Sequence, residues 1–457
     1  MAQTLHCDLC VIGAGAGGLT VAAGASQMGA SVILVERGRM GGECLYTGCI
    51  PTKALLAAAA RRESFAGAFA HVQRTIDEIA PQDSPERFAG LGVRVIAESA
   101  RFTGPRGVAA GKFEIRARRY VIATGSTPRI PDIPGIGDVA ALTNETLFTA
   151  RPEPRHLIVL GGGPVGVEMA QAFRRLGAQV SVLEAKTILN RDDSELVAVI
   201  RDQLTAENIT LHEQATAARI TRSGGDIRIS GAGSRGDFEL LGSHLLVAAG
   251  RAANIDSLGL EAAGVTVRDG ALLLDRRLRT TNRRIFAVGD VAGPYRFTHM
   301  AAYQAGIVLR NILFRLPARA KYHAVPWVTY CDPELAHIGL GEAGARRAGI
   351  KINILRTPFA ENDRAVAEGR TAGLIKAVVT PRGRILGASI AGAHAGELIH
   401  AWSLAVSRGL KISAMAQAIT PYPTFSEVSS RAAGSYYAPK LFSPRTKRLV
   451  GFLQRLG

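Results

Sequence analysis

A strand, a G-x-G-x-x-G turn, a helix and a second strand ending on glutamate occur twice in this chain at the same spacing. That pattern confines it to folds built around two parallel βαβ units. In the first copy Leu9-Cys10-Val11-Ile12 runs into Gly13, Gly15 and Gly18, and the strand beginning near Ser31 ends on Glu36. In the second, Leu157-Ile158-Val159-Leu160 precedes Gly161, Gly163, Val165 and Gly166, and Val180-Ser181-Val182-Leu183 ends on Glu184. Both glutamates fall 23 residues after the first glycine of their copy. The first glycine allows a tight turn, the second admits a pyrophosphate to the backbone, the third lets helix pack on strand, and the acid accepts ribose hydroxyls. Two dinucleotides are implied. At the second site Glu184 would repel a 2′-phosphate, so NADH is favoured over NADPH, with Lys186 and Arg191 softening the choice.

Just downstream of the first fingerprint lies Gly41-Gly42-Glu43-Cys44-Leu45-Tyr46-Thr47-Gly48-Cys49-Ile50-Pro51-Thr52-Lys53. Residues five apart in a regular helix are separated by roughly 8 Å, beyond the roughly 4.4–6.8 Å a disulfide tolerates. Joining Cys44 to Cys49 therefore needs a distorted backbone, which Gly48 permits. Pro51 tolerates only a first helical turn, and the alanine-rich run after Lys53 is strongly helical, so Cys49 falls near a helix N-terminus. Open amides and the helix dipole there favour a thiolate. Beside a dinucleotide site, the pair reads as a flavin-linked redox disulfide; a static bridge or two free thiols are the alternatives.

With these elements the chain resembles, over nearly its whole length, the class I pyridine nucleotide-disulfide oxidoreductases, the family of dihydrolipoamide dehydrogenase, glutathione reductase and mercuric reductase. Further matches are Ala123-Thr124-Gly125-Ser126, Ala249-Gly250-Arg251, Phe286-Ala287-Val288-Gly289-Asp290, Phe297-Thr298-His299-Met300, and Trp327 to Gly339. The resemblance implies FAD bound by the first fingerprint, with Thr124, Gly125, Ser126 and Asp290 around it, and Phe297, Thr298 and His299 along the isoalloxazine. Gly250 closes the nucleotide site. Cys49 would be the thiolate facing the flavin and Cys44 the interchange thiol, while Lys53 would point at the flavin and pair with Glu168. Electrons would pass from NADH to FAD to the Cys44/Cys49 disulfide, and then to a small disulfide or lipoyl-type acceptor through a mixed disulfide.

One departure is chemical. The family's His-Pro-Thr-x-x-Glu motif reads Tyr422-Pro423-Thr424-Phe425-Ser426-Glu427 here. In the family that histidine comes from the partner subunit, is oriented by the glutamate, and protonates the leaving thiol. Tyrosine, with an ordinary pKa near 10, remains a neutral donor at neutral pH. Glu43 beside Cys44 should disfavour its thiolate further. The substitution tilts the resemblance toward mercuric reductases, but no cysteine pair closes the chain, so metal-ion reduction would rest on the inner pair alone. Quinone reduction and a non-catalytic binding role are the remaining alternatives.

The expected fold class is α/β: two Rossmann-like dinucleotide-binding domains, for FAD and NAD(P), plus a C-terminal α+β dimerisation domain. The expected boundaries are 1–150 (FAD, first part), 151–270 (NAD(P)), 271–322 (FAD, second part) and 323–457 (dimerisation), giving a homodimer. Cys7 and Cys10 lie in the first strand, where residues three apart should face opposite sides, and are read as buried strand residues. His337, His394 and His400 lack partners at ligand spacing, so no metal site is expected. With neither a leader nor a membrane-length apolar run in view, the expected location is cytoplasmic. The formal charge of +17 is spread over scattered arginines without a nucleic-acid recognition pattern. From residue 441 on, however, Arg445, Lys447, Arg448 and Arg455 alternate with Leu449, Val450, Phe452, Leu453 and Leu456 as a basic amphipathic helix. Packing on its own domain is the simpler expectation for this helix, and docking on an anionic membrane or a partner the other.

Overall fold

The computed structural model describes residues 3–234 and 236–456; the outermost positions of the first and last expected domains lie outside these. Two compact units emerge, one of residues 1–161, 172–183 and 215–321, the other of residues 162–171, 184–214 and 322–457. The fold class is α/β, as the alternation of apolar strands and glycine-led helices requires.

In the first unit a seven-stranded sheet carries, in order, Val93–Ile96, Val32–Val35, Gln3–Ile12, Phe113–Ile122, Gly107–Ala110 and Ala100–Gly104, with Ile285–Ala287 alongside Phe113–Ile122. The core strands are parallel, pairing Ile12 with Val35 and with Ile122, and Ile122 with Ala287. Their carboxyl ends are thus level. Gly13, Glu36, Ala123 and Val288, which directly follow those ends, share one edge, where open parallel sheets bind ligands. A second parallel set, Gln179–Glu184, His156–Leu160 and His244–Val247, repeats the arrangement. Both sheets read as near-continuous apolar runs because both faces are covered, in the second partly by Ile220, Ile229 and Leu240 of the antiparallel strands Ala215–Ser223, Asp226–Gly233 and Gly236–Gly242.

The first strand departs from simple alternation. Leu5 and Cys7 pack into the same apolar cluster as Cys10 and Ile12. The amides of Asp8 and Leu9 both donate to the Ser31 carbonyl, at 3.0 and 3.1 Å, so an irregularity there reverses the parity of the strand. Cys7 and Cys10 therefore do not face opposite sides, contrary to the period-two expectation. Burial pushes the Cys7 thiol up to about 12 and Cys10 well above the ordinary thiol range, so both are poor nucleophiles.

The second unit holds a five-stranded antiparallel sheet, Pro326–Thr329, Glu334–Gly339, Ile385–Gly392, Leu374–Val379 and Asn353–Pro358. Ala395–Arg408 and Glu427–Ser435 supply Trp402, Val428, Ala432 and Ala433 to its core, and Trp402 Nε1 donates to Ser429 Oγ at 3.0 Å. His337 is absorbed structurally: one ring nitrogen lies 2.7 Å from Ser389 Oγ and the other 3.0 Å from the Gly339 carbonyl oxygen. Tyr436 and Tyr437 are the last side chains against this core. Helix Pro444–Leu453 buries none of its residues. The helix therefore adds no side chain to that core.

Candidate active site

Gly13 shows why the first turn tolerates only glycine. Its φ is +105°, and a Cβ there would stand 2.4 Å from the Ala123 carbonyl oxygen. At Gly18 a Cβ would come within 1.9 Å of the Gly13 carbonyl oxygen, so helix and strand touch backbone to backbone. Gly15 is different: a Cβ would meet nothing within 4 Å. It caps helix Ala16–Gln27, whose first turn receives no side-chain cap. An open cradle of amides at a helix N-terminus fits a pyrophosphate. Glu36 accepts from the amides of Ala14 and Gly38 at 2.6 and 2.8 Å, leaving lone pairs for ribose hydroxyls.

The second copy repeats this geometry. Gly161 has φ +114°, with a Cβ position 2.5 Å from the Ala248 carbonyl oxygen, while Gly163 again faces open space. Glu184 accepts from the amides of Gly162 and Lys186 at 2.7 and 2.8 Å. Val165 is exposed in the first turn of helix Pro164–Arg175, and Gly166 is buried behind it. Both sets of residues fit dinucleotides.

Cys44 lies in the short helix Gly42–Tyr46 and Cys49 opens helix Cys49–Ala60. Neither sulfur is in a disulfide here. The link between the helices is tight: the amides of Thr47 and Gly48 both donate to the Glu43 carbonyl, at 2.9 and 2.7 Å. A Cβ on Gly48 would press to 3.1 Å from that same oxygen. Glycine is needed there for close approach rather than for a left-handed backbone, since its φ is −120°. A hydrogen bond to Cys49, then burial, keep Cys44 protonated well above the ordinary thiol range, against the pull of Thr298. Cys49 is exposed and its sulfur lies 3.4 Å from Thr298 Oγ1. Thr298 itself opens helix Thr298–Leu313, so two helix N-termini converge on the cysteine pair. Phe297 and His299 stack at 5.1 Å beside it. Lys53 sits one turn past Cys49, its Nζ 3.4 Å from Thr52 Oγ1.

Behind the cysteines runs a polar network whose centre the sequence did not single out. Arg251 Nε donates to Ser126 Oγ at 2.8 Å, Nη2 to the Ser126 carbonyl at 2.8 Å and to the Glu43 carboxylate, and Nη1 to Asn144 Oδ1 at 3.3 Å. Ser126 Oγ in turn donates to Asp290 Oδ2 at 2.6 Å, and Asn144 Nδ2 donates to Glu43 Oε1 at 3.1 Å. Thr124 Oγ1 donates to the Asn254 carbonyl at 2.6 Å, fixing the loop that carries Gly125. Strand pairing of Ser126–Pro128 with Arg251–Ala253 brings these distant residues together. The only clue in the sequence was the adjacency of Gly250 and Arg251.

Burial pushes the Glu43 carboxyl up to about 7, against the attraction of Arg251, with Asp290, Cys49 and Glu145 adding repulsion. An unfolded glutamate releases its proton near 4.5, so the folded chain binds more protons between about 4.5 and 7. This site's contribution to stability accordingly falls as pH rises through that window and is constant above it. A carboxylate beside Cys44 also raises the thiol. Glu43→Gln is therefore expected to lower the apparent pKa of Cys44, read from the pH dependence of its alkylation rate, by about one unit. An unchanged profile would mean that the carboxylate does not act on the sulfur.

In the second unit Glu168 is buried and its Oε1 accepts the Tyr330 amide at 2.9 Å. Tyr422 is 70% exposed and donates to Asp363 Oδ2 at 3.1 Å, a bond that holds its phenol above the ordinary value. Glu427 opens helix Glu427–Ser435 and its Oε2 is buried without a hydrogen-bond partner, so within the chain Tyr422 turns to Asp363 rather than Glu427. Among the described residues there is no cluster of three or more metal-ligating side chains.

Two dinucleotide cradles, and a paired-thiol loop beside the first, are the parts of a flavin- and nicotinamide-linked thiol oxidoreductase. Residues 7–305 match the pyridine nucleotide-disulphide oxidoreductase family and residues 325–433 its dimerisation domain. The chain belongs to this family, in its class I branch, and is an FAD-dependent enzyme that uses a pyridine nucleotide. It is 36% identical over 455 residues to a mercuric reductase of Streptomyces lividans, covering 94% of this chain and 96% of that one. It is 32% identical over 474 residues to a dihydrolipoyl dehydrogenase of Rhizobium etli, covering 94% and 98%. Among solved structures, the Cu(II) complex of the HOCl-induced flavoprotein disulfide reductase RclA from Escherichia coli superposes with a TM-score of 0.87. That match has 29% identity and covers 92% of this chain and 98% of that one.

Proposed function

We propose that this protein is a homodimeric, cytoplasmic, NADH-preferring reductase whose acceptor, a small disulfide, exchanges at Cys44. The observation that carries this reading is the Cys44 thiol hydrogen-bonded to Cys49, with the helices starting at Cys49 and Thr298 both aimed at the pair. Bound FAD would supply the redox chemistry linking nicotinamide to the sulfur pair. Cys49, exposed at its helix N-terminus, is the sulfur suited to carry the negative charge. Cys44 as thiolate attacks one acceptor sulfur and expels the other as a thiol; Cys49 then displaces the first, and the chain keeps the Cys44–Cys49 disulfide. The acceptor gains two electrons and two protons, and the cysteine pair loses the electrons. In this reading Asp290 holds the flavin's polyol chain, and Glu184 selects NADH over NADPH. Residues 1–150 and 271–322 form the flavin domain, 151–270 the nicotinamide domain and 323–457 the dimer contact, with Tyr422 and Glu427 offered to the partner's sulfurs.

A second reading has a thiol-bound soft metal ion as the substrate, favoured by two adjacent soft ligands and by the mercuric reductases among the relatives. Anaerobic titration with NADH tests the core of both readings. A long-wavelength absorption band that is stable at two electrons per subunit is the expected result. Bleaching of the flavin without that band would remove the sulfur relay and leave an acceptor that reacts at the flavin itself.

A further inference from the structure

Past the last core residue, Tyr437, the chain makes a short turn of helix, Ala438–Leu441, and then the ten-residue helix Pro444–Leu453. The helix is well formed without tertiary support. Ser443 caps it by accepting the Thr446 amide at 3.2 Å, Pro444 occupies its first position, and Thr446 Oγ1 donates back to the Lys440 carbonyl at 2.7 Å. Its apolar side chains have nothing to cover them in the chain. Leu441, Phe442, Leu449, Val450, Phe452, Leu453 and Leu456 are 45–72% exposed. At 100° per residue, Leu449, Val450, Phe452 and Leu453 fall on one arc of the helix, which Arg445 shares, and Lys447 and Arg448 on the other. After Glu427 there is no acidic residue in the chain, against six lysines and arginines.

We infer that residues 441–456 form an in-plane anchor that seats the protein on an anionic lipid surface. The charge argues for lipid over a second copy of the helix, because a symmetric contact would bring like charges together. The dimerisation-domain match also ends at residue 433, before this segment. Ten residues make a helix of about 15 Å, too short to cross a bilayer and suited to lying along it with Phe442, Phe452 and the leucines in the acyl boundary. No described helix is long and apolar enough to span a membrane. The basic residues would rest among lipid phosphates and carboxylates, each worth about fivefold in partitioning.

Flotation of the FAD-loaded full chain with equimolar phosphatidylserine–phosphatidylcholine vesicles, and with pure phosphatidylcholine vesicles, tests this. Binding to the former, weakened by salt and at least about tenfold poorer on the latter, is expected. Lys447→Gln with Arg448→Gln should weaken it roughly 20-fold, and Leu449→Glu with Phe452→Glu should abolish it, with flavin content, NADH oxidation and dimer mass unchanged. Absence of flotation in the parent protein, or equal flotation of the Leu449→Glu/Phe452→Glu variant, overturns the inference. So does a halved mass of that variant by light scattering, which would assign the apolar face to a second copy.

Discussion

Serine at Cys44 is expected to lower NADH-dependent reduction of any acceptor that exchanges at the sulfur pair by at least about a thousandfold. A hydroxyl so far from ionising at neutral pH cannot open an acceptor disulfide, and no mixed disulfide can form through oxygen. The same change should leave the dinucleotide cradles intact, because Cys44 sits in the Gly42–Tyr46 helix and not in either glycine turn. Cys49, with no sulfur partner to oxidise it, stays reduced and carries its negative charge against the flavin as a thiolate. The long-wavelength band should therefore be present before any NADH is added. Stopped-flow measurement of NADH oxidation with and without acceptor separates the two effects. Activity toward quinones or dyes that survives the substitution places those acceptors at the flavin, and full retention of disulfide reduction would remove Cys44 from the mechanism.

Glycine 18 should prove as unforgiving for a different reason. Gly18→Val would place a branched side chain where even a Cβ has only 1.9 Å to the Gly13 carbonyl oxygen and 3.2 Å to Ala123 Cβ. Backbone cannot yield as a side-chain tip can, so helix Ala16–Gln27 must lift off its strand. Protein without flavin, or none in the soluble fraction, is the expected result. Gly15→Ala distinguishes folding from binding. Its added methyl meets nothing in the chain but enters the cradle, so the variant should fold normally and lose flavin affinity about 10- to 100-fold, seen as a lower flavin-to-protein absorbance ratio and recovered with excess FAD. A Gly18→Val protein with full flavin content would contradict the backbone contact at this turn.

Those two glycines were legible in the residues because the steric need is local and the spacing repeats. The position of Cys49 at a helix start was legible too, from Pro51 and the alanine run. What escaped was non-local. Arg251 reaches Glu43 and Ser126 only because Arg251–Ala253 pairs with Ser126–Pro128, a contact no window of sequence contains. The reversal of face between Cys7 and Cys10 depends on a doubled hydrogen bond to Ser31, just before the next strand. The direction of Tyr422 depends on Asp363, and the solitude of the C-terminal helix on a core that closes without it.

The first sheet also has a timetable. Tyr120, Val121 and Ile122 are fully buried, yet one side of their backbone is paired only by Ile285–Ala287, which follows the entire inserted nucleotide segment. At about 5–20 residues per second on a ribosome, that strand emerges roughly ten to thirty seconds later. During that interval the nascent chain presents an apolar, unpaired edge, a template for wrong partners. Whatever shields Tyr120 to Ile122 while the ribosome works through the insertion governs the yield of active enzyme as much as the stability of the finished fold does.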